Sequence, residues 1–355
     1  MPYAELKSLN YRMPAEWSAH DATWVAWPHE TSDWPGKIDT IHWVYAEIVR
    51  ELALSERVEI IVRDEDQRGF VSDCLKKNEV LLEQCRLHVV PTDRSWLRDS
   101  GPTAVYDKTG ALTWMQWNFN AWARYANYQS DQRVPSAIAQ TSGANLIRAV
   151  RPDDSSRPLV LEGGAIDVDG EGTLLATEEC LLSAVQERNP GLTRAGYEEA
   201  FFKYLGVSKT IWLASGIEGD DTHGHIDDVA RFAAPGKVLL AYEDAETEQG
   251  YAASQDNYQR LIHASDAAGR PLEVVKLPLP RKIVFDSQVL PASYLNFYIA
   301  NRTVLVPTFN DEKDRQALQI IADLFPGRRI VGIHSVDLVL GFGTIHCLTQ
   351  QQPAV

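Results

Sequence analysis

GHIDDVARFAAPGKVLLAY, residues Gly224–Tyr242, reads as two extended, mostly apolar runs on either side of a Pro235-Gly236 turn. A lone hairpin buries too little apolar surface to stand by itself, so it demands neighbours of its own kind. Four more stretches carry the same pattern: Ser100–Trp117, Gly163–Thr177, Ser293–Phe309 and Gly341–Gln351. Most follow another short apolar run, as in LHVVP ending at Pro91, PLVLEG before Gly163, TIWLASG before Gly224 and RRIVGIH before Ser335.

Between the hairpins lie helical patterns, with apolar residues three and four apart. They are IDTIHWVYAEIVRELAL from Ile38, TRAGYEEAFFKYLG from Thr193, EQGYAASQDNYQRLIHASDAA from Glu248 and DEKDRQALQIIADLF from Asp311. The recurring unit is strand, hairpin, helix. Five units that share one core predict an α/β fold in the form of a five-bladed propeller with pseudo-fivefold repeats, spanning residues 1–355 as a single domain. A doubly wound sheet is the competing architecture, but neither G-x-G-x-x-G after a first strand nor G-x-x-x-x-G-K-[ST] occurs.

Charge narrows the partners. A formal charge of −15 without clustered Lys and Arg argues against nucleic acid and favours a cationic substrate. No apolar run reaches the length of a membrane span, and MPYAELKSLNYRMPAEW lacks the regions of a secretory leader, so a soluble, cytoplasmic protein is expected. Cys74, Cys85, Cys180 and Cys347 form no C-x-x-C pair and are expected to be free thiols, the first three as core packing.

Polar residues recur where a strand enters its hairpin: Asp99 in WLRDSGP, Glu162 in LEGGAID, His225 and Asp227 in THGHIDD, and Cys347 in TIHCLTQ. Each has a plain alternative. Asp99 suits a turn, Glu162 a solvated strand end, and His223, His225 and Asp227 a metal site, although adding Cys347 leaves zinc no open position and no metal is expected. Placed on a strand, His225 and Asp227 at i, i+2 project into one space. Carboxylates beside a thiol raise its pKa, which suits no ordinary acyl-transfer enzyme. The grouping makes sense when the substrate supplies the positive charge: a guanidinium is gripped by carboxylates in bidentate fashion and lowers the thiol pKa as it binds.

With MPAEW (Met13–Trp17), DATWVAWPH (Asp21–His29), DWPGK (Asp33–Lys37), WLRDSGP, EGG, GHIDDVARF, SYLNFY and IHCLTQQQP in one order along the chain, the sequence resembles the agmatine deiminase family. That family is related to bacterial-type peptidylarginine deiminases within the guanidino-group-modifying superfamily. The resemblance implies a five-bladed α/β propeller (pentein) with Cys347 as nucleophile, His225 as general acid/base, Asp99 and Asp227 as guanidinium clamp and Glu162 orienting the site. It implies hydrolysis of agmatine through a covalent thiouronium, in putrescine biosynthesis, without metal or organic cofactor. Asp221 is expected to face the distal amine and Trp96 the methylene chain, with Trp122 and Tyr125 on a covering loop. Another guanidine, or amidino transfer, is the alternative chemistry, and a homo-oligomer is expected.

The sequence departs from the family pattern at two places. Gly341-Phe342-Gly343-Thr344 stands where Gly-Gly-Gly-Asn is usual, and Asn301-Arg302 stands where an Asn-Gly turn is usual, predicting an Arg at positive φ.

Overall fold

The computed structural model describes residues 10–355. Part of the amino-terminal stretch expected to lack a leader, residues 1–9, lies outside the described residues. The fold is mixed α/β, and among the described residues five of its six sheets share one plan, the sixth being the lone hairpin Ile283–Phe285 and Gln288–Leu290. A strand pairs antiparallel with the next, a helix crosses over, and a third strand returns parallel to the second.

Thr103–Asp107, Leu112–Gln116 and Asn145–Arg148 form one such unit, with the helix Val134–Ser142 as its crossover. Asp167–Val168, Thr173–Thr177 and Lys209–Leu213 form another around Arg194–Leu205. Ala230–Ala234, Lys237–Tyr242 and Glu273–Pro278 repeat it around Tyr251–Ile262, and Tyr298–Ile299, Thr303–Thr308 and Arg329–His334 around Asp314–Leu324.

The hairpin expected within Gly341–Gln351 does not form. Its first half is instead a short helix, Ile345–Leu348, which delivers the chain into the strand Thr349–Pro353. That strand finds its antiparallel partner at the other end of the sequence, His20–Ala26, with Gln350 opposite Trp24. His20–Ala26 then pairs parallel with Arg57–Val62 across the helix Ile38–Ala53. The fifth unit is thus assembled from both ends of the chain, which a local reading of one segment cannot detect.

PLVLEG, expected as a strand, contributes only isolated bridges through Pro158 and Val160. Neither Asn301 nor Arg302 adopts positive φ, so the anticipated strain is absent. Asn301 instead accepts from the backbone N–H of His20 and donates to its carbonyl, at 2.9 Å each.

Helix Ile38–Ala53 shows why the pattern was readable. Ile41, Tyr45, Ile48 and Leu52 fall on one face and are buried, and Asp39 and Arg50 complement the helix dipole at opposite ends. Each fully buried Ile or Leu there contributes roughly 1.5–3 kcal/mol. The largest apolar cluster joins Trp27, Trp34, Ile60, Trp96, Leu239, Leu305 and Leu348, and so ties the unit built from both chain ends to the third and fourth units. Among the described residues, no helix is long and apolar enough to cross a membrane.

Candidate active site

Asp99, Glu162, His225, Asp227 and Cys347 do not lie on strands. Each sits on or beside a single helical turn at the mouth of its unit. Asp99 is on Leu97–Ser100, Glu162 immediately precedes Gly163–Ala165, His225 immediately precedes Ile226–Asp228, which contains Asp227, and Cys347 is on Ile345–Leu348. The alternating-strand argument for pairing His225 with Asp227 therefore fails, because those residues follow a turn. All five side chains are nevertheless buried in one region of the molecule.

Close approach is built into the backbone. A Cβ on Gly164 would lie 2.5 Å from His225 Nδ1 and 2.8 Å from Asp99 Oδ1, so only glycine lets these elements meet. The Gly164 N–H donates to Asp99 Oδ1 at 2.9 Å, and Trp122 Nε1 donates to Asp99 Oδ2 at 2.9 Å. Asp220 fixes the His225 loop by accepting from the backbone N–H groups of Thr222, Gly224 and His225.

Glu162 is completely buried, and its Oε1 accepts from Arg188 Nε at 3.0 Å. Burial alone would raise its pKa, but Arg188 and His225 bring it down to about 2. Its Oε2 lies 3.9 Å from His225 Nε2, too far for a hydrogen bond, and has no partner. His225 Nδ1 lies 3.8 Å from Asp99 Oδ2. Burial lowers the His225 pKa, yet the negative charge of Asp99 and the nearness of Cys180 and Glu162 carry it well above the ordinary imidazole range. His223 turns elsewhere, with Nε2 3.2 Å from Ser183 Oγ.

Cys347 is 5% exposed. Asn296 Nδ2 stands 3.1 Å from its sulfur, and Asp227 Oδ2 lies 3.7 Å away. Burial, followed by the charges of Asp227, Asp228 and Asp99, pushes its pKa well above that of a free thiol. Burial and the neighbouring Asp227 and Asp220 likewise raise Asp228, and burial with repulsion from Asp227 and Glu162 raises Asp99. The carboxylates around Cys347 thus oppose its ionisation.

Several residues here escaped the sequence reading. His346, beside the cysteine, places Nδ1 2.7 Å from Asp227 Oδ2 and Nε2 2.8 Å from Glu16 Oε2. Both ring nitrogens thus lie within hydrogen-bond distance of a carboxylate oxygen. Glu16 also pairs with Arg98 and Arg231 and accepts from the Ile299 N–H. Asn296 Oδ1 collects the backbone N–H groups of Thr344, His346 and Cys347 and the Thr344 hydroxyl. Glu16, Asn296 and His346 all fall within MPAEW, SYLNFY and IHCLTQQQP, so the signal was present. Nothing local, however, disclosed what each residue touches.

A cavity of about 150 Å³ opens onto Cys347, lined among others by Asp33, Trp96, Asp99, Trp122 and Asp221. Trp96 and Asp221 are therefore brought to the same space as Cys347. Asp221 Oδ2 accepts from Tyr125 O–H at 2.6 Å, and burial with repulsion from Asp220 raises its pKa to about 6. Asp33, unnoticed in the sequence, pairs with Arg94 and accepts from Trp96 Nε1 at 3.0 Å; burial raises it to about 6 as well. A Cβ on Gly343 would meet Trp96 at 2.8 Å and Cys347 Sγ at 3.1 Å, whereas Phe342 has φ of 66°, a conformation that favours glycine. A larger cavity of about 380 Å³, bordered by Glu218, Glu248 and Lys282, shares none of these lining residues.

Among the described residues, one group is arranged to hold a metal ion: Glu162, Cys180 and His225, with donor atoms within 4.8 Å of one another. It differs from the His223, His225, Asp227 set considered from spacing. Cys180, read as core filler, is buried but borders the site.

The chain is similar to known proteins along nearly its whole length. A protein described as "putative agmatine deiminase" from Latilactobacillus sakei subsp. sakei (strain 23K) is 38% identical, over 98% of this chain and 97% of that protein. One of the same description from Selenomonas ruminantium is 37% identical over the same shares. The solved agmatine deiminase of Enterococcus faecalis superposes with a TM-score of 0.88 at 34% identity, covering 98% of this chain and 97% of that one. A model of the Porphyromonas-type peptidyl-arginine deiminases matches residues 12–353, and the chain belongs to that family.

Proposed function

We propose that this protein is an agmatine deiminase, hydrolysing agmatine to N-carbamoylputrescine and ammonia. The observation that carries the reading is a pair of buried, unpartnered carboxylate oxygens: Asp227 Oδ1, on the carboxylate whose other oxygen lies 3.7 Å from Cys347 Sγ, and Glu162 Oε2, 3.9 Å from His225 Nε2. Buried polar atoms without partners are rare in folded proteins, and a planar cation with several N–H donors would satisfy these.

Asp99 and Asp227 grip the guanidinium. The bound cation offsets the carboxylates that raise the Cys347 pKa, and the thiol proton passes to solvent as the substrate seats. The thiolate attacks the guanidinium carbon and forms a C–S bond. His225, as imidazolium, protonates the departing nitrogen, and ammonia leaves a thiouronium attached to Cys347. Neutral His225 then takes a proton from water as its oxygen attacks the same carbon. Collapse breaks the C–S bond, the electron pair going to sulfur and the carbinol O–H proton following it, so the ureido product is released and the Cys347 thiol regenerated. Arg188 holds Glu162, and Glu162 orients the His225 ring. Asn296 donates to the sulfur and stabilises its anionic form.

Asp221, with Asp33 nearby, faces the distal ammonium, and Trp96 flanks the methylene chain. A cavity of about 150 Å³ covered by Trp122 and Tyr125 suits a small free guanidine better than a peptide. The reaction requires no metal or organic cofactor. The five sheet units support closure into a five-bladed propeller within one domain, residues 1–355. A cytoplasmic homo-oligomer serving putrescine synthesis completes the proposal.

The test is ammonia release from agmatine, arginine, a blocked arginine peptide and dimethylarginine, with Cys347→Ser beside the wild type. Activity on agmatine that vanishes in the variant supports the assignment. Turnover that depends on an added amine acceptor points to amidino transfer instead, and silence on all four substrates removes the deiminase reading.

A further inference from the structure

We propose that Glu162, Cys180 and His225 form an inhibitory site for a soft divalent cation of the zinc type, lying behind the catalytic histidine. A carboxylate oxygen of Glu162, Sγ of Cys180 and a ring nitrogen of His225 lie within 4.8 Å of one another, and all three residues are buried. Glu162 Oε2 and His225 Nε2 lie 3.9 Å apart with no hydrogen-bond partner. Zinc bonds of about 2.0–2.3 Å at tetrahedral angles separate donors by roughly 3.4–3.6 Å. Side-chain shifts of an ångström or less close that gap.

The surroundings suit a sulfur-seeking cation. Cys180 is held on the turn Glu178–Leu182, whose start is capped by the Thr177 hydroxyl, so the thiol is presented by a fixed element. Arg188 opposes a cation, but it occupies Oε1 of Glu162 and leaves Oε2 free. Asp99 and Asp227 supply negative charge on the other sides of His225. Glu, Cys and His are a mixed donor set that selects zinc-like ions over magnesium or calcium, which prefer all-oxygen ligands. Binding displaces the Cys180 proton and any proton on Nε2, so affinity rises with pH.

Inhibition follows from geometry and rests on the acid/base role proposed for His225. A metal on Nε2 confines the imidazole proton to Nδ1, the nitrogen that faces Asp99. The ring can then neither accept a proton from water nor be regenerated as imidazolium. Cys347 takes no part, so inhibition is relieved by removing Cys180 and spares the nucleophile.

Cobalt(II) is the probe, because a thiolate-to-cobalt charge-transfer band reports sulfur ligation whether or not the enzyme turns over. The band is expected in wild type and in Cys347→Ser, and is expected to vanish in the double variant Cys347→Ser/Cys180→Ala. Glu162→Gln, which keeps every thiol, is expected to weaken cobalt binding at least tenfold. In the activity assay, the zinc concentration for half inhibition should rise at least tenfold in Cys180→Ala. A band lost with Cys347→Ser alone, or persisting without Cys180, places the metal on another thiol and overturns the proposal. No band in any variant does the same. Because the cobalt readout needs no substrate, failure of the metal site and failure of the deiminase reading are told apart.

Discussion

Replacing Asn296 by Asp changes one atom type at the centre of the loop that carries Cys347, the proposed nucleophile. Oδ1 still accepts from the Thr344 hydroxyl at 2.9 Å and from three backbone N–H groups, so the loop keeps its anchor. What disappears is the Nδ2 donor 3.1 Å from Cys347 Sγ, along with its bond to Asp228 Oδ1 at 3.1 Å. A hydrogen bond to a charged group is worth about 1.5–3 kcal/mol, and each 1.36 kcal/mol is tenfold in rate, so kcat/KM should fall roughly 10- to 150-fold. The added negative charge works in the same direction. The same energy should move the midpoint of Cys347 alkylation by iodoacetamide upward by at least about one pH unit. Ammonia release across pH, alkylation rates across pH and a thermal melt together separate loss of the donor from loss of the fold. Asn296→Asp within threefold of wild type, with an unchanged alkylation profile, would refute the idea that this amide stabilises the thiolate.

Glu162, at about pKa 2 in the folded protein against about 4.3 unfolded, stabilises the fold fully above the higher value and loses that effect as pH falls toward the lower. The difference is about 3 kcal/mol, so urea unfolding at pH 5 and 2.5 should show a steeper acid loss in wild type than in Glu162→Gln; equal slopes would sink the claim. If ionised Asp221 receives the distal ammonium, KM for agmatine rises as pH drops through about 6. Asp221→Asn should then raise KM at least about tenfold and flatten that inflection, and an unaltered KM profile would exclude the contact. Gly164→Ala drives a methyl into His225 Nδ1 and Asp99, and a displacement near 1 Å predicts a fall in kcat of about a hundredfold. Retained kcat would mean that these two side chains need not approach so closely.

The repeating unit was legible because hairpins and amphipathic helices are written in short-range periodicity: Gly224–Tyr242 and Ile38–Ala53 announce themselves within twenty residues or so. Helix Glu65–Lys77 went unread because only Gln67, Val71 and Leu75 are buried along it, a stripe too thin to stand out. Residue types at the candidate site were legible as well, since a thiol among carboxylates poses a chemical question wherever it occurs. The turns that carry them were not. Asp99 lies on, and Glu162 and His225 just before, single helical turns too short to leave a period, and Arg188, Glu16 and Asn296 act across dozens to hundreds of positions. His346 sat in plain view beside Cys347, but its two acids come from residues 16 and 227.

The strand that continues from Cys347 pairs with His20–Ala26, bridging more than three hundred positions of sequence. Other sheet units close over far shorter loops, so their pairing is entropically cheaper and earlier. During refolding, helical circular dichroism should therefore return before turnover does, with an interval in which most of the chain is folded and the thiol still lacks its surroundings. A denatured population returned to native conditions passes through well-structured molecules that are catalytically silent, and the waiting time is set by the two ends of the chain finding each other.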